Sequence, residues 1–339
     1  MDQVVRAGVD LVELTRGLVD IDSTTGREGE AGGWLAAYLR ELGFQVLEQP
    51  VDDHRFNVIA TTGAPPSVVL STHFDCVPPF FPSRIERRRI YGRGACDAKG
   101  ILAAQVAAAD QLRRDGEPRV GLLFVVGEER GSDGARTANL AAGGSTYLVD
   151  GEPTDSRLGL ATRGVLRLRL KASGRAAHSS FPELGESAID KLLDALIALR
   201  AIEFADDPVL GRTHYTVGLI AGGVAPNVVS PSAEAEVMFR TVGDAADVRA
   251  AMTSLDSRVE IEHVLQVPPV KMATVDGFET AVFPYTTDIP FLNHWGQPLL
   301  FGPGSIHVAH TADEWVSIEE LGAAARHYIT LVKSLLGHA

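Results

Sequence analysis

The sequence is poor in three features that would each point to a particular class of protein. It has only two cysteines, Cys76 and Cys96, in 339 residues, which excludes a disulfide framework and is typical of a reducing compartment such as the cytoplasm. No stretch approaches the roughly 20 consecutive apolar residues of a membrane helix, and the charged, amphipathic N-terminus (residues 1–18) does not have the pattern of a signal peptide. Positive charge is also scarce, because 31 Lys and Arg face 44 Asp and Glu and give a net charge of −13. We therefore expect a cytoplasmic protein with neither a membrane nor a nucleic-acid partner.

The remaining composition is that of an ordinary globular protein, with 45% hydrophobic and 22% charged residues, in a chain long enough for two domains. Residues 1–162 alternate continuous apolar runs with helical patterns, which predicts a mostly parallel α/β sheet covered on both faces. The helical patterns are Gly32–Leu42, which stops at Gly43, and the Ala-rich segment Gly100–Arg114. The predicted strands are Phe56–Ala60, Val68–Ser71, Val120–Gly127 and Thr146–Val149.

Residues 163–267 have a different pattern. Three segments alternate apolar with charged residues, as strands with one buried and one wet face do. Two helical segments, Ser187–Ile202 and Asp244–Leu255, interrupt them, and the order β-α-β-β-α-β is that of a ferredoxin-like domain. The alternating segments are Val165–Lys171, Ala233–Arg240 and Val259–His263.

Residues 268–339 return to the first pattern. They contain a predicted strand, Pro298–Phe301, and a closing helix, Ser317–Leu336, in which Ser317 and Glu320 have the spacing of a capping box. We therefore predict one discontinuous α/β domain, residues 1–162 and 268–339, split by an inserted ferredoxin-like domain, residues 163–267.

Clusters of acidic residues and histidine follow the predicted strands, and the carboxyl ends of strands in an open α/β sheet are where ligands collect. Each cluster is weak alone: a histidine at a strand end is usually a polar terminus, and Glu128-Glu129 also fits a solvated loop. Two adjacent carboxylates at the mouth of a sheet are nevertheless costly unless a cation or a proton compensates them. The clusters are Ser71–Asp75, Gly92–Gly100, Gly127–Gly131, Asp150–Thr154 and, far downstream, Ala309–Glu314.

Together these clusters offer two imidazoles and several carboxylates to one sheet edge. Such nitrogen and oxygen ligands suit zinc, with cobalt or manganese as possible substitutes. Because one zinc ion needs only three protein ligands, the surplus predicts two metal ions that share a bridging carboxylate. Two metals about 3.5–4 Å apart can polarise a carbonyl and generate a hydroxide between them.

Five spaced motifs make the chain resemble the dinuclear zinc peptidase family M20, which includes acetylornithine deacetylase, succinyl-diaminopimelate desuccinylase, aminoacylase and glutamate carboxypeptidase. They occur in order and cover essentially the whole chain. The resemblance implies a zinc-peptidase-like catalytic domain with an inserted domain that serves as a lid and forms a homodimer. The motifs are His73-x-Asp75-x-Val77-Pro78, Gly92-Arg93-Gly94-x-x-Asp97-x-Lys99-Gly100, Glu128-Glu129, Asp150-Gly151-Glu152-Pro153-Thr154 and Ala309-His310-x-x-Asp313-Glu314.

The resemblance also implies a ligand set of five residues. His73 and Glu152 would bind one metal ion, and Glu129 and His310 would bind the other. Asp97 would bridge both ions.

Two further residues of the catalytic domain receive roles from the resemblance. Asp75 would orient a ligating histidine, as the neighbours of such histidines generally do. Glu128 would be the general base that deprotonates the attacking water and later protonates the leaving amine. The family's cis peptide bond after the bridging aspartate would fall at Asp97-Ala98, although Ala98 stands where Met or Asp is usual.

The inserted domain carries similar marks. His178, in Ala177-His178-Ser179-Ser180, resembles the histidine that stabilises the oxyanion, often from the partner subunit of a dimer. Asn227 and Arg240 resemble residues that bind the substrate carboxylate, for which the planar guanidinium is well suited. The alternatives are a surface-loop residue for His178 and a solvated strand end for Arg240.

The loop Gly302–Ile306, which precedes His310, most resembles the acetylornithine deacetylase branch. The predicted function is therefore removal of the acyl group from an N-acyl amino acid, with acetylornithine of arginine biosynthesis as the best single candidate and Asp288 as a candidate acidic residue for its side chain. The alternative is a dipeptidase or carboxypeptidase of the same family. A non-catalytic binding relative would be expected to have lost Glu128 or a ligand, and all of them are present.

Overall fold

The computed structural model describes residues 8–141, 144–255 and 257–337, and the chain divides into two compact units. Unit 1 comprises the described residues of three segments: those up to Leu160, Met272–Ala281, and those from Thr287 onward. Unit 2 comprises the described residues of Ala161–Lys271 and Val282–Thr286. Residues 1–7 of the amphipathic N-terminal segment lie outside the described residues. The helix Leu11–Val19 begins within the rest of that segment. No helix in the described ranges is long and apolar enough to cross a membrane.

Unit 1 contains the predicted mostly parallel sheet. Its two central strands are buried along their whole length, as expected for a sheet that is covered on both faces. Three neighbouring pairs of strands run parallel, and the two strands at one edge join by antiparallel pairing. In spatial order the strands are Gln45–Pro50, Phe56–Thr61, Val120–Val125, Val68–His73, Tyr147–Asp150 and Gln297–Leu300.

Local sequence signals set the ends of the helices in unit 1. Asp10 caps the first helix by accepting hydrogen bonds from two backbone amides of its first turn. Gly43 ends the second helix with a φ of +97°, a conformation that favours glycine. Ser317 accepts a hydrogen bond from the amide of Glu320 at 3.4 Å, so the predicted cap of the closing helix is confirmed. The helices are Leu11–Val19, Gly29–Leu42, Gly100–Arg114, Asp133–Asn139 and Ile318–Leu335.

Short strands bring distant loops of the chain together. Trp315–Ser317 pairs with Arg89–Tyr91, and the amide of Gly92 donates a hydrogen bond to the carbonyl of Glu314 at 3.1 Å. The segment after His310 therefore lies beside the Gly92–Gly100 loop. Other short strands are Arg84–Glu86, Leu158–Thr162, Val270–Lys271 and Thr280–Phe283.

Unit 2 has the ferredoxin-like arrangement that the alternating pattern predicts. Its four antiparallel strands lie in the spatial order second, third, first and fourth along the chain. Apolar side chains of one sheet face, such as Leu168 and Phe239, pack with those of the two helices, such as Leu192, while the charged side chains point to the other face. The strands are Gly164–Ser173, His214–Gly222, Ser232–Thr241 and Glu260–Val267, and the helices are Ala188–Leu199 and Ala245–Met252.

Some predicted boundaries were wrong. The strand that begins at Val120 ends at Val125, two residues before the predicted end, because Gly127 already belongs to the next turn. The helix predicted over Asp244–Leu255 ends at Met252 and continues as one 3₁₀ turn. The missed elements include the edge strands Gln45–Pro50 and His214–Gly222, the helix Asp133–Asn139 and the hairpin Asp206–Asp207 with Gly211–Arg212.

Candidate metal centre and active site

Three adjacent parallel strands end at the same edge of the central sheet, and predicted site residues follow each of them. Ligands bind at this edge in open α/β sheets, because the turns after the strands leave side chains facing one crevice. The residues are His73 at the end of Val68–His73, Glu128 and Glu129 after Val120–Val125, and Glu152 after Tyr147–Asp150.

The turn that carries Glu128 and Glu129 depends on Gly127. This residue has a φ of +77°, and a Cβ atom there would overlap the carboxylate of Asp133. Beyond it, the amides of Glu128 and Glu129 donate hydrogen bonds to the two carboxylate oxygens of Asp75, at 3.1 and 3.3 Å. One buried carboxylate therefore holds both glutamates of the turn.

Asp97 lies between the two predicted histidine ligands. Its Oδ1 is 3.0 Å from Nε2 of His73, and its Oδ2 is 3.3 Å from Nε2 of His310. The peptide bond between Asp97 and Ala98 is cis, as the resemblance implies. Each oxygen of one carboxylate thus faces a different imidazole, which is the geometry that a bridging ligand requires.

Two groups of side chains could hold a metal ion, and Asp97 belongs to both. The first group is His73, Asp97 and Glu152, and the second is Asp97, Glu129 and His310; within each group the potential ligand atoms lie within 4.8 Å of one another. In the second group, Nε2 of His310 is 2.8 Å from Oε1 of Glu129. The structure therefore brings all five predicted ligands together.

Asp75 also orients His73. The Nδ1 atom of His73 lies 3.1 Å from the carbonyl oxygen and 3.3 Å from Oδ1 of Asp75, so assigning the proton to Nδ1 leaves Nε2 free to bind at the centre. The hydroxyl of Thr25 donates to the other oxygen of Asp75 at 2.8 Å. The sequence motif contained Asp75 but gave no indication of Thr25.

The ligand groups perturb one another strongly. Burial opposes ionisation of Asp97, but hydrogen bonds from His310 and His73 outweigh it and hold the pKa of Asp97 well below its usual range. Burial opposes protonation of His73, but hydrogen bonds to Asp75 and Asp97 outweigh it and raise the pKa of His73. Hydrogen bonds to Asp97 and Glu129 raise the pKa of His310 to about 10. The side chains therefore favour extra positive charge at the centre.

The raised pKa values of Glu152 and Glu128 also indicate that the centre lacks positive charge. Burial, reinforced by the charges of Asp97 and Glu128, raises the pKa of Glu152 well above its usual value. The pKa of Glu128 is raised in the same way by burial and then by the charges of Asp288 and Glu129, against the opposing effect of His73. Carboxylates crowded in this way are stable as anions only beside cations, so the donor set fits divalent metal ions.

A buried ion pair supports the Asp97 segment. Oε1 of Glu314 accepts hydrogen bonds from the amides of Cys96 and Asp97, both at 3.1 Å, and Oε2 is 2.7 Å from Nη1 of Arg93. Both side chains of the pair are almost completely buried. Arg93 and Glu314 each stand in a quoted motif, but nothing in the sequence indicated that they would meet.

Asp288, the candidate acidic residue for the substrate side chain, is a buried carboxylate. It is 2% exposed, and neither of its carboxylate oxygens has a hydrogen-bond partner in the described part of the chain. Burial and the charge of Asp150 raise the pKa of Asp288 to about 7. Asp150 is equally buried, accepts a hydrogen bond from Ser71 at 2.6 Å, and has a pKa raised to about 6, mainly by burial.

In unit 2, the loops of His178 and Asn227 are joined. His178 pairs with Val228 in an isolated bridge, and the amide of Ser179 donates to the carbonyl of Asn227 at 3.0 Å. Nδ1 of His178 accepts a hydrogen bond from the amide of Ser180 at 3.1 Å, and among the described residues Nε2 has no hydrogen-bond partner. The structure therefore brings these two predicted residues together within unit 2.

Arg240 lies half-buried at the end of the strand Ser232–Thr241. Burial and the charge of Arg163 lower the pKa of Arg240. His214 is its strand partner, and Nδ1 of His214 is 3.0 Å from Nη1 of Arg163. Arg163 and His214 were not predicted from the sequence, and the guanidinium groups of Arg163 and Arg240 form a positively charged corner that suits an anion.

The fold and this centre define a metal-dependent hydrolase of amide bonds. The model of peptidase family M20/M25/M40 matches residues 69–334, and the chain belongs to this family. It is 39% identical to a probable carboxypeptidase of Aspergillus terreus, with 95% of this chain and 85% of that protein covered. It is 37% identical to a peptidase M20 domain-containing protein of Schizosaccharomyces pombe, with 96% and 85% covered.

A tripeptidase of Staphylococcus aureus has the same fold. Its crystal structure superposes with a TM-score of 0.81 at 22% identity and covers 97% of this chain and 99% of that chain. The predicted fold class and hydrolase activity are thereby confirmed. These relatives favour the peptidase alternative over the acetylornithine deacetylase branch.

Proposed function

We propose that the protein is a two-metal carboxypeptidase or dipeptidase that hydrolyses the peptide bond next to a free α-carboxylate. The observation that carries the proposal is Asp97, which has one oxygen next to His73 and the other next to His310. One carboxylate shared by two ligand groups is what a dinuclear hydrolase needs. The names of the relatives support a peptide rather than an N-acyl amino acid as substrate.

The two ligand groups are proposed to hold one ion each, with Asp97 shared. Zinc suits their nitrogen and oxygen donors, and cobalt or manganese would be accepted by the same set. When bound, the ions would polarise the scissile carbonyl and lower the pKa of the attacking water. His73 enters this centre already oriented by Asp75.

Glu128 is proposed to move the protons. It stands next to the candidate ligand Glu129 but belongs to neither ligand group. Its raised pKa suits a group that first takes a proton from water and then gives it to the leaving amine.

Unit 2 is proposed to recognise the substrate. The free Nε2 of His178 can stabilise the oxyanion that develops on the scissile carbonyl. Arg240, with Asn227, can bind the substrate carboxylate, and Arg163 strengthens the positive charge beside it.

Unit 2 is also proposed to join two copies of the chain. The strand His214–Gly222 is an edge strand, and the adjoining helix Ala188–Leu199 has exposed apolar side chains four residues apart. An exposed apolar edge is a template for pairing with another chain, and a second copy would cover both elements. The exposed residues are Val217, Leu219 and Ile220 on the strand and Ile189, Leu193 and Ile197 on the helix.

A substrate panel tests the proposal. The zinc- and cobalt-loaded protein would be assayed on dipeptides and tripeptides with free and amidated C-termini, and on N-acetylornithine, N-acetylcitrulline and N-acetylmethionine. We expect hydrolysis of peptides with a free carboxylate and little of their amides. A clear preference for the N-acetyl amino acids would instead support the deacetylase function, and no amide hydrolysis by protein carrying two metals would contradict both.

A further inference from the structure

We propose that Arg55 is a positioning residue for this centre. Its side chain fixes the distance between the Glu128 turn (the turn that carries Glu128 and Glu129) and the His73–Asp75 pair. The inference rests on the proposed function. Arg55 directly precedes the strand Phe56–Thr61, and its side chain is 14% exposed.

The guanidinium of Arg55 binds three carboxylates from three separate segments. Nε lies 2.6 Å from Asp52, Nη1 lies 3.3 Å from Glu28, and Nη2 lies 2.5 Å from Asp133. All three nitrogens are therefore used, as only the planar fork of arginine allows.

Through Glu28, Arg55 is connected to one of the two segments that hold Asp75. Glu28 is completely buried, and its second oxygen accepts a hydrogen bond from the amide of Gly26 at 2.7 Å. This bond orders the turn in which Thr25 stands, and Thr25 donates its hydroxyl to Asp75.

The contact with Asp133 leads to Asp75 from the other side. Asp133 begins the helix that follows the Glu128 turn, and the amide of Ser132 closes that turn on the carbonyl of Gly127 at 2.8 Å. Within that turn, the amides of Glu128 and Glu129 donate hydrogen bonds to the carboxylate of Asp75. Arg55 thus joins the two segments that hold Asp75, and through Asp75 it sets the position of His73 relative to Glu128.

A cavity of about 380 Å³ lies beside the guanidinium, lined by Thr25, Asp52, Arg130 and Asp133 among others. A small cation in solvent can therefore reach the position that a truncated side chain would vacate. This allows chemical rescue, a readout that loss of stability alone would not give.

The experiment compares Arg55→Ala and Arg55→Lys with Arg40→Ala, whose partner Glu48 lies 2.8 Å away in an exposed ion pair. Each protein would be loaded with cobalt and its metal content, visible absorption spectrum, thermal midpoint, kcat and KM measured with and without guanidinium at a non-denaturing concentration. Misplacement of reacting groups by about 1 Å costs about 10²-fold, so we expect Arg55→Ala to lose about that factor in kcat with KM little changed.

We also expect the cobalt spectrum of Arg55→Ala to shift, and guanidinium to restore both the spectrum and much of kcat. Arg55→Lys should recover only part of kcat, and Arg40→Ala should match the unchanged protein. An unaltered spectrum and kcat in Arg55→Ala, or losses that track the folded fraction and do not respond to guanidinium, would overturn the proposal.

If Arg55→Ala does not fold, Asp133→Ala takes its place, since it removes the carboxylate by which Arg55 contacts the segment that follows the Glu128 turn. A shifted cobalt spectrum supports the proposal, and an unchanged one overturns it. The spectrum requires no substrate, so a protein that hydrolyses no peptide would refute the proposed function while the role of Arg55 is still tested.

Discussion

Replacing Glu314 by glutamine would remove the charge that faces Arg93 while keeping the shape of the side chain. The two groups are 2.7 Å apart and at most 2% exposed, so water cannot take the place of the lost carboxylate. A buried charge left without its partner typically costs about 3–5 kcal/mol. A free-energy change of 1 kcal/mol shifts the midpoint of a unit of roughly 200 residues by about 2–4 °C. We therefore expect a midpoint lower by about 6–20 °C.

The assay is scanning calorimetry of the metal-free protein, read on the transition of unit 1 because two units need not unfold together. Arg40→Ala serves as the control, since an exposed ion pair contributes only about 0–1 kcal/mol. The double variant Arg93→Met/Glu314→Gln should regain much of the loss, because it removes the unpaired cation while the glutamine oxygen can still accept from the amides of Cys96 and Asp97. If Glu314→Gln unfolds at the same temperature as the control, the pair does not support the Asp97 segment as argued.

Further predictions concern catalysis, recognition, assembly and pH. Glu128→Gln should lower kcat by about 10²–10⁴-fold or more while elemental analysis still finds two metals; an active variant would place the general base elsewhere. Arg240→Ala should cost about 2–5 kcal/mol in kcat/KM on peptides with a free carboxylate, and equal losses on C-terminal amides would exclude carboxylate binding. Leu219→Asp should convert a dimer to a monomer in light scattering with an unchanged circular dichroism spectrum, and an unmodified protein that is itself monomeric would contradict the interface. In the metal-free protein, the raised pKa values of His310 (about 10) and His73 mean that the folded state binds these protons more tightly. The stabilisation by these two histidines is then complete below about pH 6.5 and is lost as the pH rises towards their folded-state pKa values. We therefore expect the thermal midpoint, measured with chelator, to fall over this range. A midpoint that stays level or rises would contradict this prediction.

The site could be predicted from the sequence wherever a residue directly follows a strand. His73, Glu129 and Glu152 were expected at one place because parallel strands end at the same edge. Asp97 and His310 lie in loops, and only the family resemblance implied that they converge there. The Arg93–Glu314 pair could not be predicted, since it joins residues 221 positions apart and charged residues carry no signal of their partners.

The fold could be predicted where the burial of side chains produces a regular pattern of apolar residues in the sequence. Alternation in Val165–Lys171 reports a strand with one covered face, and the central strands read as apolar runs because both faces are covered. Gln45–Pro50 was missed because it is an exposed edge strand with few buried side chains. The spatial order of the strands has no local signal, since it depends on which turns and crossovers pack together.

The insertion of unit 2 into unit 1 sets an order for biosynthesis. On the ribosome, Ala161–Lys271 emerges before Gln297–Leu300, so unit 2 can fold while the strand Tyr147–Asp150 still has an open edge. The candidate ligand His310 emerges later again, and the group that it forms with Asp97 and Glu129 cannot close until translation has passed it. The nascent chain therefore carries an incomplete acidic centre and an unpaired strand edge, of the kind that invites misassociation. The group of His73, Asp97 and Glu152 is complete earlier in translation, so the two ligand groups of the centre become available at different times.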